Sequence, residues 1–139
     1  MLLLDTNVVS ELRKVKSGKA DTNVARWAEA LDPLSLYLSA ISVQELETGV
    51  GLVERRDQAQ GSILREWFEA HVLPVFEGRI LPVDVRVAKV CGGMHVPDPR
   101  SIRDSLIAAT AKVHGMAVVT RNVTDFSGAG IELVNPWAG

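Results

Sequence analysis

Four acids occupy positions from which an α/β chain could present them together. Asp5 directly follows the apolar run Leu2-Leu3-Leu4, and Glu45 ends Ser42-Val43-Gln44-Glu45. Asp104 ends Ser101-Ile102-Arg103-Asp104, and Asp125 comes three residues after Asn122 in Thr120-Arg121-Asn122. Clustered carboxylates repel one another, so a pocket holding three or four needs a compensating cation. Oxygen ligands without His or Cys nearby suit Mg²⁺ or Mn²⁺ rather than Zn²⁺. His71, His95 and His114 show no metal-ligand spacing and read as surface or core-edge residues. Cys91 closes the apolar stretch from Ala88 and reads as core rather than nucleophile.

Each acid also has a purely structural reading. Ser42-x-x-Glu45 and Ser101-x-x-Asp104 fit capping boxes, and a helix N-terminus favours an acid there in any case. Asp5 fits an N-cap, and Asp125 an Asx turn. At any one position that reading is at least as good. Four acids at strand ends and helix starts together shift the balance to a metal site.

The elements that must position them alternate. Leu2–Leu4 reads as a buried parallel strand, followed by a helix that carries Val8, Val9 and Leu12. Arg13 to Lys19 reads as a basic loop. A helix from about Asp21 buries Val24, Trp27, Ala28 and Leu31 until Asp32-Pro33 stops it. Leu36–Ala40 is a second strand, and Ser42–Glu45 opens the next helix. Residues 58–72 form the longest amphipathic stretch, with Ile63, Leu64, Trp67, Phe68, His71 and Val72 on one side. A strand at 79–83, a helix over 84–94 and a proline-containing loop over 95–100 follow. A helix over 101–114 ends at Gly115. A strand at 117–120, a loop over 121–130 and a short strand around 131–134 close the chain. The pattern predicts an α/β fold with a mostly parallel central sheet, whose ligands sit outside the carboxyl ends of the strands.

A length of 139 residues indicates one domain spanning 1–139. Net charge is −2, from 15 Lys+Arg against 17 Asp+Glu, which argues against a protein that coats nucleic acid through bulk charge. Any phosphate contact must be local. Aromatics at 5% argue against a stacking platform for bases. The N-terminus lacks a basic region before its apolar stretch, and no apolar run approaches the roughly 18 residues of a membrane span. A single cysteine suits a reducing compartment, so the expected location is the cytoplasm, without a membrane partner.

Several segments in one order carry a family resemblance. They are Leu3-Leu4-Asp5-Thr6-Asn7, Leu38 to Leu46, Gly78-Arg79-Ile80-Leu81-Pro82, Asp104 to Ala111, Thr120-Arg121-Asn122 with Asp125-Phe126, and Asn135-Pro136-Trp137. Together they resemble PIN-domain ribonuclease toxins of the VapC type, in the FitB-like branch, from residue 1 to about 137. The resemblance implies a PIN-like three-layer α/β/α fold and a Mg²⁺- or Mn²⁺-dependent endoribonuclease, the toxin of a bacterial toxin–antitoxin pair. Asp5, Glu45 and Asp104 match the family's acidic metal-site positions. Many relatives carry Asp where this chain has Asn122, so either Asp125 takes the fourth acidic role or Asn122 supplies a neutral ligand. Thr6 and Thr120 match hydroxyl positions that line such pockets. The implied partners are RNA, an antitoxin and a second copy of the chain, alone or within a toxin–antitoxin hetero-oligomer, with DNA contacted only through the antitoxin.

The chemistry such a site supports is phosphodiester hydrolysis by metal-activated water, with Asp5 and Asp104 holding the ion and Glu45 and Asp125 orienting water or holding a second one. Arg121 is the leading candidate for an RNA phosphate contact, with Arg100, Arg103, Arg13 and Lys14 behind it. The first two helices and Glu45–Val53 carry more apolar side chains than a small sheet needs. In the family an antitoxin's C-terminal segment lies in a groove there and can send a basic side chain into the acidic pocket. Val50, Leu52, Val53, Trp27 and Trp67 read equally as core. A receiver-like phosphoryl-transfer domain would need an Asp-x-Asp motif or a late lysine, which Asp5-Thr6-Asn7 and Arg121 do not supply. A PIN-like interaction module without catalysis, or a DNA-associated regulator acting with its antitoxin, is the alternative.

Overall fold

The structure, a computed structural model, describes residues 1–139. Strand β1 (Leu2–Leu4) is central, and Leu3 and Leu4 are wholly buried. Around it lie β2 (Leu36–Ser39), β3 (Ile80–Leu81), β4 (Ala117–Val119) and β5 (Leu133–Val134), all parallel, in the order β3-β2-β1-β4-β5. Such strands are covered on both faces, which is why they read as unbroken apolar runs rather than alternating ones.

The side-chain alternation of the strands divides the core. Leu4, Leu38 and Val119 face one layer, where they meet Val8 and Val9 of α1 (Thr6–Leu12), Leu46 and Val50 of α3 (Ala40–Arg56), and Phe68 and Val72. Leu3 and Val118 face the other, where Ile107, Ala108 and Ala111 of α7 (Ile102–His114) cover them with Phe126. The expected three-layer α/β/α arrangement is therefore present.

The remaining helices match the sequence pattern with differences at their ends. Helix α2 (Thr22–Glu29) is capped by Asp21 and stops before Leu31. Helix α4 (Gln58–Trp67) passes through a π-helical turn at Phe68–Val72 into the short α5 (Leu73–Val75), so the 58–72 stretch is not one regular helix. Ile63 and His71 of that stretch point to solvent. Helix α6 (Val85–Met94) begins at the Asp84 cap, and α7 ends at Gly115 with φ 66°, the left-handed conformation that favours glycine. The segment expected as a 121–130 loop contains a one-turn helix, α8 (Val123–Phe126), whose Phe126 is buried.

Chain direction places the site. From β1 the chain moves outward through β2 to β3, then returns to the opposite side of β1 for β4. A parallel sheet opens a crevice at the carboxyl ends of the strands where its order reverses. Here that crevice lies between the ends of β1 and β4, and Asp5 and Thr120 are the first residues beyond those ends.

Candidate active site

Asp5 caps α1, accepting the Thr6 N–H on Oδ1 at 2.8 Å. Its other oxygen accepts the Thr120 hydroxyl at 2.7 Å and the Asn7 amide at 3.4 Å. The N-cap reading of Asp5 is thus correct, but it engages only one of the two carboxylate oxygens. The residue is 7% exposed, and no basic side chain bonds to it. Burial raises the Asp5 carboxyl above its ordinary range; the Thr120 and Thr6 hydrogen bonds oppose this, and the charges of Glu45 and Asp104 add to it.

Glu45 reaches the same place from α3, but not as a capping residue. The helix begins at Ala40, and Ser39 is its cap, accepting the Ile41 N–H at 3.0 Å. Glu45 therefore lies in the second turn, and the expected Ser42–Glu45 capping box does not form. The Ser42 hydroxyl is buried without a partner. Released from capping, Glu45 accepts the Thr6 hydroxyl on Oε1 at 2.7 Å and pairs through Oε2 with Arg103 Nη1 at 3.2 Å.

Asp104 stands in the first turn of α7, and its N–H donates to the Ser101 cap at 3.4 Å. That is the serine half of the expected capping box. Burial raises the Asp104 carboxyl first, then Asp125 and, less strongly, Glu45, while Ser101 and Arg103 pull it down. Asp125, exposed on α8, thus belongs to the same field. The four acids form a series in which Asp5 feels Glu45 and Asp104, and Asp104 feels Asp125 and Glu45.

No three acidic, His or Cys side chains converge on a shared ligation point in this structure. The donor set nevertheless suits a hard divalent cation: oxygens alone, and a buried carboxyl in Asp5 that lacks a counter-charge.

Asn122 and Asp125 lie on the same short segment. Asn122 caps α8, and its backbone N–H donates to Thr120 Oγ1 at 2.9 Å, with no side-chain capping bond. Thr120 is fully buried and links Asn122 to Asp5. Arg121 donates its N–H to Asn7 Oδ1 at 3.4 Å, and its guanidinium lies over the Trp137 ring at 5.4 Å.

A groove of about 540 Å³ lies apart from the acids. Val9 and Leu12 of α1, Trp67, Val72 and Phe76 line it, with Val75 of α5, and Arg13 and Lys16 lie at its side. Helix α3 does not line it, and turns Leu46 and Val50 into the core. Leu52 is exposed, whereas Trp27 and Trp67 pack half-buried against the core.

A β3-β2-β1-β4-β5 parallel sheet with the buried Asp5 carboxyl at its switch point defines an α/β domain with an acidic crevice. Residues 2–130 match the PIN domain. The chain is 37% identical to the VapC ribonuclease Y4jK of Sinorhizobium fredii, over 99% of this chain and 98% of that protein. It is also 37% identical to the toxin FitB of Neisseria gonorrhoeae, over 99% of both. The crystal structure of FitAcB from the same organism superposes with a TM-score of 0.88, covering 99% of each chain at 37% identity. The chain belongs to the PIN-domain family of VapC and FitB toxin ribonucleases.

No helix is long and apolar enough to cross a membrane.

Proposed function

We propose that this chain, as a single domain over 1–139, is a Mg²⁺- or Mn²⁺-dependent endoribonuclease and the toxin of a type II toxin–antitoxin module acting in the cytoplasm. The observation that carries the reading is Asp5: a buried carboxyl beside Glu45 and Asp104, with no cation bonded to it. A divalent ion there would supply an acidified water and neutralise charge on the attacked phosphate.

The chain's own residues divide the work. Asp5 and Asp104 hold the ion. The Thr120 hydroxyl fixes Oδ2 of Asp5, and the Thr6 hydroxyl fixes Glu45. Glu45 and Asp125 orient the water or hold a second ion. Coupling between Asp125 and Asp104 supports Asp125 as the fourth acid, leaving the Asn122 side chain to offer a neutral oxygen. Arg103, exposed beside Asp104, and Arg121 on Trp137 bind phosphates of the RNA on either side.

The groove supports the partner. Its apolar lining between α1 and the α4–α5 turn suits an apolar segment of an antitoxin, and Arg13 and Lys16 suit acidic flanks on it. Structural neighbours include FitAB bound to a DNA fragment, which supports a toxin–antitoxin complex that meets DNA; contact through the antitoxin and a homodimer within that complex are part of the proposal.

Cleavage of RNA by the purified protein with Mg²⁺, Mn²⁺ or EDTA, beside Asp5→Asn and Asp104→Asn, tests the reading. Activity is expected only with metal, and each variant should lose more than the roughly 10–100-fold that outer-shell changes cost. Cleavage that persists in EDTA refutes it.

A further inference from the structure

The first turn of α7 must hold Asp104 against the repulsion of Asp125 and Glu45, and its own cap is a long one, 3.4 Å from the Asp104 N–H to Ser101. A second device lies beneath it. Ser105, the next residue, is 2% exposed, and its hydroxyl is fully used. It donates to the Ser101 carbonyl at 2.7 Å, with the Ile102 carbonyl at 3.1 Å. It stands 2.8 Å from His95 Nε2 and accepts from the buried Cys91 thiol at 3.4 Å.

His95 is the C-cap of α6, and its other ring nitrogen, Nδ1, accepts the Arg100 N–H at 3.2 Å. An accepting Nδ1 leaves the ring proton on Nε2, so Nε2–H is the donor to Ser105. One imidazole therefore ties three things together: the end of α6, the returning 95–100 loop and the first turn of α7. This Ser–His pair is not a nucleophile and base, because the histidine donates and the serine proton is spent on a carbonyl.

We propose that His95 is a positioning residue: through Ser105 it locks the first turn of α7 and so sets Asp104 in the acidic crevice. The proposal rests on the nuclease reading for its consequence, and on hydrogen-bond geometry for its cause.

Two substitutions separate the two halves of the ring. In His95→Gln the side-chain amide reaches where Nε2 was and keeps the donor to Ser105. In His95→Asn the side chain ends where Nδ1 was, keeping the acceptor for Arg100 and losing Ser105. Hydrogen exchange on the metal-free protein reads the lock without any activity. His95→Asn should speed exchange of the Asp104 and Ser105 amides about tenfold, while the Asp5 amide bonded to Val119 stays unchanged. His95→Gln should stay within about threefold of wild type at all of them. In RNA cleavage, His95→Asn should raise the half-saturating Mn²⁺ about tenfold and lower kcat, leaving KM for RNA unchanged, and His95→Gln should restore most of it.

Equal exchange in the two variants, or faster exchange throughout the molecule in His95→Asn, overturns the lock. Local loosening with unchanged Mn²⁺ dependence overturns its bearing on Asp104. A wild-type protein that cleaves no RNA with either metal defeats the nuclease reading instead, while the exchange comparison still decides the lock.

Discussion

Thr120 and Asp5, 115 residues apart, meet at the end of the central strand pair, where the threonine hydroxyl donates to Asp5 Oδ2 at 2.7 Å. The same hydroxyl accepts the Asn122 N–H at 2.9 Å. Thr120→Val keeps the side-chain shape and removes both bonds. Leaving a buried polar group unpaired costs about 1–3 kcal/mol, so the melting temperature should fall by several degrees. Metal-dependent cleavage should drop about 10–100-fold, the range for groups that orient a ligand, and Thr120→Ser should restore it. Wild-type cleavage rates in the valine variant would show that Asp5 is held without Thr120.

The metal-free crevice is a source of instability with a predictable pH dependence. Asp104 is raised from its ordinary value of 3.8, by burial first and Asp125 next. The folded state therefore keeps a proton that the unfolded state has lost, and stability falls as pH rises above 3.8 through the raised value. Asp104→Asn removes that loss. In EDTA the variant should melt above wild type at neutral pH, and the difference should vanish on acidification, as Asp104 becomes protonated in the folded and unfolded states alike. Added Mn²⁺ should stabilise the wild type and not the variant. A variant that melts below wild type in EDTA at neutral pH would contradict the electrostatic account.

These long-range bonds explain what the sequence revealed of the site. Asp5 was legible because an apolar run stops there, and a parallel strand must end beside its neighbours. Glu45 lies one turn further into its helix than the sequence predicts. Serine and glutamate three apart imitate a capping box, but Ser39 takes the cap, and the partners of Glu45 lie 39 and 58 residues away at Thr6 and Arg103. Local spacing carries no trace of such pairs. The sequence predicts a loop at Asp125 because a one-turn helix has too few residues for a periodic signal. His95 gave no metal spacing, and its role emerges only where α6 meets α7.

Helices α3 and α4 approach more closely than their side chains suggest. A Cβ on Gly61 would lie 2.5 Å from the Glu54 Cα, a backbone atom that cannot rotate away. Gly→Ala inside an exposed helix gains about 1 kcal/mol. Here the sign reverses: Gly61→Ala should destabilise by about 1–3 kcal/mol, since overpacking forces the helices apart. Denaturant titration reads the change directly, and a stabilised alanine variant would mean that the helices separate at little cost. Cleavage per folded molecule should be unaffected, because Gly61 is remote from Asp5 and Asp104.

The groove and the crevice are built from different residues, so binding of a partner and cleavage of RNA should separate by mutation. Val75 lines the groove, yet it is 56% exposed and belongs to neither core layer. Val75→Glu puts a charge where an apolar partner segment must dry the surface, and burying an unpaired carboxylate is costly. Neither the fold nor the acids should change. The free variant should cleave RNA at the wild-type rate, while its affinity for a cognate antitoxin falls about 100-fold, as a loss of roughly 3 kcal/mol implies. In cells, co-expressed antitoxin should then fail to relieve the growth arrest that it relieves for wild type. Undiminished capture of the antitoxin by Val75→Glu would place the partner on another face.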